Sequence, residues 1–305
     1  MQGVFTSTEY STLMRRISTL SVLCLAVAGM SACSLPDEVI PTENIPTAGV
    51  RFINAVPDTN LVDMRFYDLV ESNAHFRIGF RANPVTAGGV PASTQVQYKN
   101  ARAGSRKFRV FLDDTLQAVA SVKLVDTTFT FDAGKNYTVW MWGNARSAGV
   151  DKMRFSILED APVDPTTQVA VRLVNATSAV INGRQYAGAA AAAQAGAATW
   201  PALAAYSVGA YVNVAVTAGA NTIRYNIRDA GDVTFLVATD ASALIGAIAT
   251  ADITALPGTA VAGSAVTGIV FPASVAGSKA VQFATPGITF VWDRRPPRTL
   301  CSPLC

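Results

Sequence analysis

The chain has little of what most catalytic sites are built from. It contains a single histidine, His75, and no cysteine between residues 34 and 300. It also lacks the Gly-x-Ser-x-Gly segment that presents a nucleophilic serine in many hydrolases. A serine or cysteine nucleophile would have to use His75 as its base, and we interpret this residue, beside Phe76 on a strand, as structural. We therefore predict no catalytic residues and expect that the protein is not an enzyme.

Charged residues are also scarce, which limits the kinds of partner and cofactor that the protein is expected to bind. Only 15% of the residues are charged, the formal net charge is +3, and no basic stripe is present, so nucleic acid is not expected as a partner. Zinc needs about four ligands, and the one histidine is far from the cysteines in sequence. Asp58, Asn60 and Asp63 offer oxygen atoms for calcium as an alternative, but the spacing lacks the glycine and final glutamate of an EF-hand loop. We interpret this segment as a turn capped by aspartate, with no metal and no cofactor.

The amino-terminal residues have the layout of a secretory signal peptide. Arg15 and Arg16 precede a short apolar run, 20–28, and small residues lead up to Cys33. The run is too short for a bilayer core, which needs about 20 residues. Met30–Cys33 resembles a lipobox, which implies that Cys33 is acylated and becomes the new amino terminus. Because the positive charge follows Met14, we expect translation to begin there.

Beyond Cys33, residues 33–47 form an extended tether rich in proline and acidic residues. The resemblance to lipoproteins implies a membrane anchor in the cell envelope. Ser34 in place of the aspartate that retains lipoproteins at the inner membrane favours the outer membrane. After processing, Cys301 and Cys305 are the only thiols left, and we predict a disulfide between them in the tail 298–305. The alternative is pairing between two chains, which would give a covalent dimer.

The body of the chain has the pattern of an all-β protein. Short alternating segments, such as Leu61 to Tyr67 and Lys107 to Leu112, are separated by turn residues, and almost no helical period is present. An internal repeat is visible, because Val50–Ala55 (VRFINA) returns as Val171–Ala176 (VRLVNA). A period above about 100 residues indicates duplicated domains. We predict two tandem antiparallel immunoglobulin-like β-sandwich domains, 48–162 and 163–297, after the signal peptide 1–32 and the tether.

Three segments resemble a bacterial domain-of-unknown-function family, number 4397. They are Val50–Asp63, Gly134–Val139 (GKNYTV) and Leu158–Pro162. The resemblance covers most of residues 48–165 and, more weakly, 166–297. It implies an extracytoplasmic β-sandwich and no particular activity.

Two features of the segment around Tyr137 carry further expectations. Gly134, three residues before Tyr137, is typical of a tyrosine corner, a folding feature in which the hydroxyl binds an upstream backbone group. Strand alternation places Tyr137 on one face and Trp140 and Trp142 on the other. If Tyr137 faces the core, both indole rings point outward and form a candidate surface for a glycan or an envelope protein. The alternative is that they pack beneath a loop or against the second domain.

The sequence therefore predicts a lipid-anchored envelope protein that acts as a non-catalytic binding or structural module. A polysaccharide-active or other hydrolytic enzyme, with acids paired only in space, is one alternative. A subunit of a surface assembly that uses open sheet edges is another.

Overall fold

The predicted all-β class is confirmed. The computed structural model describes residues 44–66, 76–81, 98–188, 196–216, 222–233, 241–242, 261–278 and 280–294. Within these residues the chain forms strands β1 to β17, one four-residue helix, α1 (Gln117–Ala120), and a short 3-10 turn at Val281–Phe283. From Pro46 onward the chain belongs to one compact unit.

The strands up to Glu159 form two sheets that face each other. Sheet I consists, in spatial order, of β4 (Lys99–Arg102), β1 (Thr47–Ala55), β7 (Asn136–Trp142) and β8 (Arg154–Glu159). Sheet II consists of β3 (Phe76–Gly79), β2 (Leu61–Phe66), β5 (Gly104–Leu112) and β6 (Lys123–Phe131). Buried side chains from both sheets, among them Val50, Met64 and Val139, fill the space between them. This pair is the first sandwich.

The strands from Gln168 onward repeat the arrangement. Sheet III consists of β12 (Ser207–Val208), β9 (Gln168–Asn175), β16 (Ala265–Phe271) and β17 (Gly287–Arg294), with β13 (Val212–Ala215) also paired to β9. Sheet IV consists of β11 (Trp200–Leu203), β10 (Ile181–Gly188), β14 (Thr222–Asp229) and β15 (Ala241–Ser242). Leu173, Tyr225 and Val266 belong to the core between these sheets. This pair is the second sandwich.

One pairing in each sandwich corrects the expected purely antiparallel arrangement. Strand β1 runs parallel to β7, with Val50 opposite Tyr137, and β9 runs parallel to β16, with Val171 opposite Val266. The other strand pairs among the described residues are antiparallel. Two parallel strands must be joined by a long crossover connection. In each sandwich this connection contains most of the strands of the opposite sheet.

A third buried cluster joins the sandwiches. It contains Ile53 and Trp140 from sheet I together with Val174 and Ile269 from sheet III. Sheets I and III therefore pack through the faces that point away from their own sandwich cores, and we call this contact the joint. The layers follow the order sheet II, sheet I, sheet III, sheet IV, so both central sheets are covered on both faces.

The repeated hexapeptide is explained by this double burial. In β1, Val50 and Phe52 enter the core of the first sandwich, while Arg51 and Ile53 face the joint. The equivalent residues of β9 alternate in the same way between the second core and the joint. A strand buried on both faces reads as a nearly continuous apolar run, which is why the arginine at its second position stands out.

Candidate functional site

The predicted tyrosine corner has the expected geometry. The Tyr137 hydroxyl accepts a hydrogen bond from the backbone N–H of Asp132, with the nitrogen and oxygen 3.2 Å apart. Gly134 lies in the turn between them and has a positive φ of 77°, a conformation that favours glycine. Tyr137 is 4% exposed and packs in the first core. This feature fixes the turn before β7 and offers no reactive group.

The expectation of an exposed tryptophan surface is wrong. Trp140 and Trp142 do lie on the face opposite Tyr137, but their exposed fractions are 0% and 3%. Their rings stack with centroids 5.3 Å apart and belong to the joint, where sheet III covers them. The alternative of packing against the second domain is therefore the one observed. The pair stabilises the joint and gives no support to glycan stacking.

In the acidic turn after β1, the Asp58 carboxylate accepts hydrogen bonds from backbone groups. One carboxylate oxygen of Asp58 accepts the N–H of Ala145 at 2.9 Å, and the other accepts the N–H of Arg146 at 2.7 Å. Asp63 is buried and accepts a hydrogen bond from Arg65 Nε at 2.9 Å. In the described part of the chain, no group of three or more acidic, histidine or cysteine side chains could hold a metal ion. Asp58 therefore ties the β1–β2 turn to the β7–β8 loop.

Several predicted residues lie outside the described ranges. They are the lipidation residue Cys33, the disulfide pair Cys301 and Cys305, and the single histidine, His75. The lipid and the disulfide stay predictions.

A group of four ionisable side chains lies inside the joint. Arg51 Nη2 is 3.3 Å from Asp160 Oδ2 and 2.5 Å from Asp293 Oδ1. Arg172 Nη2 hydrogen-bonds Asp160 Oδ1 and lies 3.6 Å from Asp293 Oδ1. The two aspartates and Arg51 have fully buried side chains, and that of Arg172 is 5% exposed. We call these four residues the charge cluster.

The cluster has approximate two-fold symmetry between the sandwiches. In the first, Arg51 Nε donates to Thr138 Oγ1 at 2.7 Å, and that hydroxyl donates to Asp160. In the second, Arg172 Nε donates to Thr267 Oγ1 at 2.6 Å, and that hydroxyl donates to the aspartate of β17 at 2.5 Å. Each sandwich thus contributes the same set of arginine, threonine and aspartate, and each arginine reaches a carboxylate of both sets.

Tyrosine rings complete the symmetric arrangement. The Arg51 guanidinium lies 4.5 Å from the centre of the Tyr98 ring, and Arg172 lies 4.5 Å from that of Tyr211. The Tyr98 hydroxyl donates to Asp160 Oδ2 at 2.7 Å. An aromatic face is a favourable neighbour for a guanidinium that has lost its water.

Electrostatics favour the ionised forms of Asp160 and Arg51 despite their burial. Burial alone would raise the pKa of Asp160, but attraction by Arg51 and Arg172 and the hydrogen bond from Thr138 hold that pKa below its usual value. Burial opposes the charge of Arg51 as well, yet the nearby carboxylates of Asp160 and Asp293 raise its pKa. The Asp160 carboxylate is therefore not poised to exchange a proton near neutral pH, which suits a structural tie.

Sequence reasoning missed this cluster, although one signal was present. Arg51 and Arg172 occupy the same position of the repeated hexapeptide, in otherwise apolar strands. An arginine kept in both copies of a buried strand predicts a buried acidic partner. The partners Asp160 and Asp293 have no such mark, because each is close to its arginine only in the fold.

The loops that follow β1, β7 and β16 lie together at one end of the molecule, which we call the distal end. Strands β1 and β7 are parallel and so end at the same edge of sheet I. Val275, in the turn after β16, donates its N–H to the Pro57 carbonyl at 3.0 Å. Strand β1 begins at Thr47, directly after the predicted tether, and its nine residues separate that point from the distal end by roughly 25–30 Å.

Two clefts open at the distal end, on either side of Asp58 and Arg146, which line both. Cleft 1 has a volume of about 240 Å³, and Asn60, Asp113 and Asp114 also line it. Cleft 2 has a volume of about 300 Å³, and its other lining residues are Asn144, Ser147, Val275, Ala276, Gly277 and Ser278. Cleft 2 therefore lies between loops of the two sandwiches, a place where ligand sites are common.

The comparison with protein families agrees with the resemblance found in the sequence. Residues 48–182 match the family model DUF4397, a domain of unknown function. This segment resembles DUF4397. No curated protein matches the chain.

The DUF4397 match does not stop at the end of the first sandwich. It continues past β8, includes both Asp160 and Arg172 of the charge cluster, and ends at the start of β10, well before Asp293. The match thus contains all of the joint residues that come from sheet I and, from sheet III, those of β9. Among the residues that the structure describes, none of the helices has the length and apolar character needed to cross a membrane.

Proposed function

We propose that the protein is a lipid-anchored envelope protein whose two sandwiches act as one non-catalytic module. Its role is to hold the distal end, with its two clefts, away from the membrane and available to a ligand or envelope partner. The chemistry of the anchor is the acylation of Cys33, which the sequence predicts.

The observation that carries this proposal is the charge cluster. Its four side chains come from both sandwiches, are almost completely shielded from water, and satisfy one another by hydrogen bonds. Separating the sandwiches would break these hydrogen bonds and expose the apolar side chains of the joint, such as Trp140 and Phe271, to water, which is unfavourable. Such a tie suits a rigid body that presents a ligand site better than a catalytic cleft that must open.

The course of the chain supports the orientation. The tether leads directly into β1, and the loops at the other end of that strand carry both clefts. Loops held on a stiff scaffold are where binding residues concentrate in β-sandwich proteins. The aromatic basis for a glycan surface is lost with the burial of Trp140 and Trp142, so we place recognition at the distal loops.

Membrane fractionation of the full-length protein in a Gram-negative host tests the anchor. We expect the wild-type protein in the membrane fraction, with an intact mass that includes the lipid. We expect the Cys33→Ala protein either to be soluble or to keep its signal peptide uncleaved. Cys24→Ala, which changes a cysteine inside the predicted signal peptide, is the matched control and should behave like the wild type. A Cys33→Ala protein that is processed and membrane-bound like the wild type would contradict the proposal.

A further inference from the structure

Cleft 2 is held open by contacts that do not involve a ligand. The N–H groups of Ala145 and Arg146 are fixed by the Asp58 carboxylate, and the Val275 N–H is fixed by the Pro57 carbonyl. These bonds set one wall from each sandwich at a constant separation. A cavity already formed in this way binds a ligand without first paying the entropy of ordering its loops.

Two polar side chains of this cleft have unmet hydrogen-bonding capacity. The Arg146 side chain is exposed and makes no hydrogen bond or ion pair within the described residues, since only its backbone N–H is engaged. The Asn144 side-chain amide likewise makes no hydrogen bond there, and its Oδ1 atom is shielded from water. Turning this amide into the cleft would therefore break no hydrogen bond. The Arg146 guanidinium needs a hydrogen-bond acceptor, preferably an anion, whereas the Asn144 side-chain carbonyl can accept a hydrogen bond from a donor.

The remaining residues that line cleft 2 limit the class of ligand further. No aromatic ring lines cleft 2, so stacking on a base or a sugar face is not its means of binding. Ala276 and Gly277 leave room, and the space where a Cβ of Gly277 would stand is open. Ser147 Oγ accepts the Gly149 N–H and keeps its own hydrogen free to donate.

Charge discriminates between the anions that a guanidinium recognises. The Asp58 carboxylate also lines the cleft, and its two oxygens are engaged by amide N–H groups. Its negative charge repels a dianionic phosphate more strongly than a monoanionic carboxylate. A carboxylate also matches the two parallel N–H groups of arginine.

We propose that cleft 2 binds a small hydroxycarboxylate of the sugar-acid class, with its carboxylate on Arg146 and a hydroxyl donating to Asn144. This inference deepens the proposed binding function and rests on it. The volume of about 300 Å³ suits a single small unit.

Titration calorimetry of the purified full-length protein in detergent micelles tests the proposal, with D-glucuronate as the probe. Glucose and inorganic phosphate serve as the neutral and dianionic comparisons. We expect glucuronate to bind and both comparisons to bind at least tenfold more weakly. Arg146→Gln should lower the glucuronate affinity roughly tenfold or more, because it removes a charge-assisted hydrogen bond. Asn144→Ala should lower it by a smaller factor.

Arg102→Gln is the matched control, since Arg102 is an exposed arginine of β4 that does not line either cleft. It should leave the affinity unchanged, and the melting temperature of every variant shows that the fold is intact. Absence of glucuronate binding, equal binding of glucose or phosphate, or equal effects of Arg146→Gln and Arg102→Gln would each overturn the proposal. Membrane localisation does not depend on cleft 2, so a failure here with normal fractionation refutes the cleft assignment and leaves the anchored module standing.

Discussion

Arg51 of β1 and Asp293 of β17 form an ion pair across the two sandwiches, with 2.5 Å between Nη2 and Oδ1. The residues are 242 positions apart in the chain, and both side chains are completely buried. Asp160 and Arg172 make the corresponding contact in the opposite direction. The two sandwiches are therefore joined by reciprocal pairs, to which each sandwich contributes one arginine and one aspartate.

Replacing Arg51 by methionine should destabilise the whole body. The change leaves Asp293 and Asp160 with one guanidinium between them, and we expect a loss of about 3–5 kcal/mol in the free energy of unfolding. Urea unfolding followed by tryptophan fluorescence measures it, because Trp140 and Trp142 lie in the joint. Arg102→Met, at an exposed position, is the control and should change the free energy by less than about 0.5 kcal/mol. Equal losses in the two variants would show that the pair contributes nothing.

Acid should weaken the joint. The pKa of Asp160 is lowered in the folded protein, so its stabilising contribution is present above the unfolded value of about 3.9 and is lost as the pH falls through the lower folded value. The free energy of unfolding should therefore be level near neutral pH and drop steeply below about pH 4. Asp160→Asn should be less stable at neutral pH and show a shallower drop. A wild-type profile with the same slope as the variant would rule out this role for Asp160.

Trp140 should behave as a core residue. Trp140→Ala removes a fully buried ring from the joint, and we expect a loss of about 3–5 kcal/mol. Val150→Ala, at a side chain that is 84% exposed, should change the stability little. Thermal unfolding of both variants distinguishes burial from a surface role, since a surface tryptophan would give a small shift in melting temperature.

The faces of the strands could be predicted from the sequence, but what covers them could not. Alternation correctly placed Tyr137 opposite Trp140 and Trp142, because a strand has a period of two residues. Whether the tryptophan face meets water depends on sheet III, whose residues lie far along the chain. Local pattern carries no information about that contact, and an exposed face was the wrong inference from it.

The internal repeat likewise indicated two similar domains, but it did not predict how they contact each other. Arg51 and Arg172 were visible as equivalent positions, whereas their partners Asp160 and Asp293 stand in segments of different appearance. The parallel pairing of β1 with β7 was also beyond reach, because strand order in a sheet is set by long-range packing. Cleft 2 needs loops from both sandwiches, so it could be seen only once the joint was known.

Asp58→Ala should loosen the distal end without unfolding the cores. It removes the acceptor of the Ala145 and Arg146 N–H groups, and we expect these two amides to exchange with solvent faster. A cost of about 1–3 kcal/mol is typical for donors that lose their only partner. Hydrogen exchange followed by mass spectrometry should localise the change to the β7–β8 loop and leave β7 itself protected. Unchanged exchange in that loop would contradict the assigned role.

The distance between the two sandwiches in solution tests the central claim most directly. Spin labels at Thr128→Cys in sheet II and Asn213→Cys in sheet III, both exposed positions, report it by pulsed electron resonance once Cys301 and Cys305 are replaced by serine. The charge cluster predicts one narrow distance distribution at neutral pH, which Arg51→Met broadens. A broad distribution in the otherwise wild-type protein, or a narrow one that Arg51→Met leaves unchanged, would contradict the account of a single body held together by its buried charges.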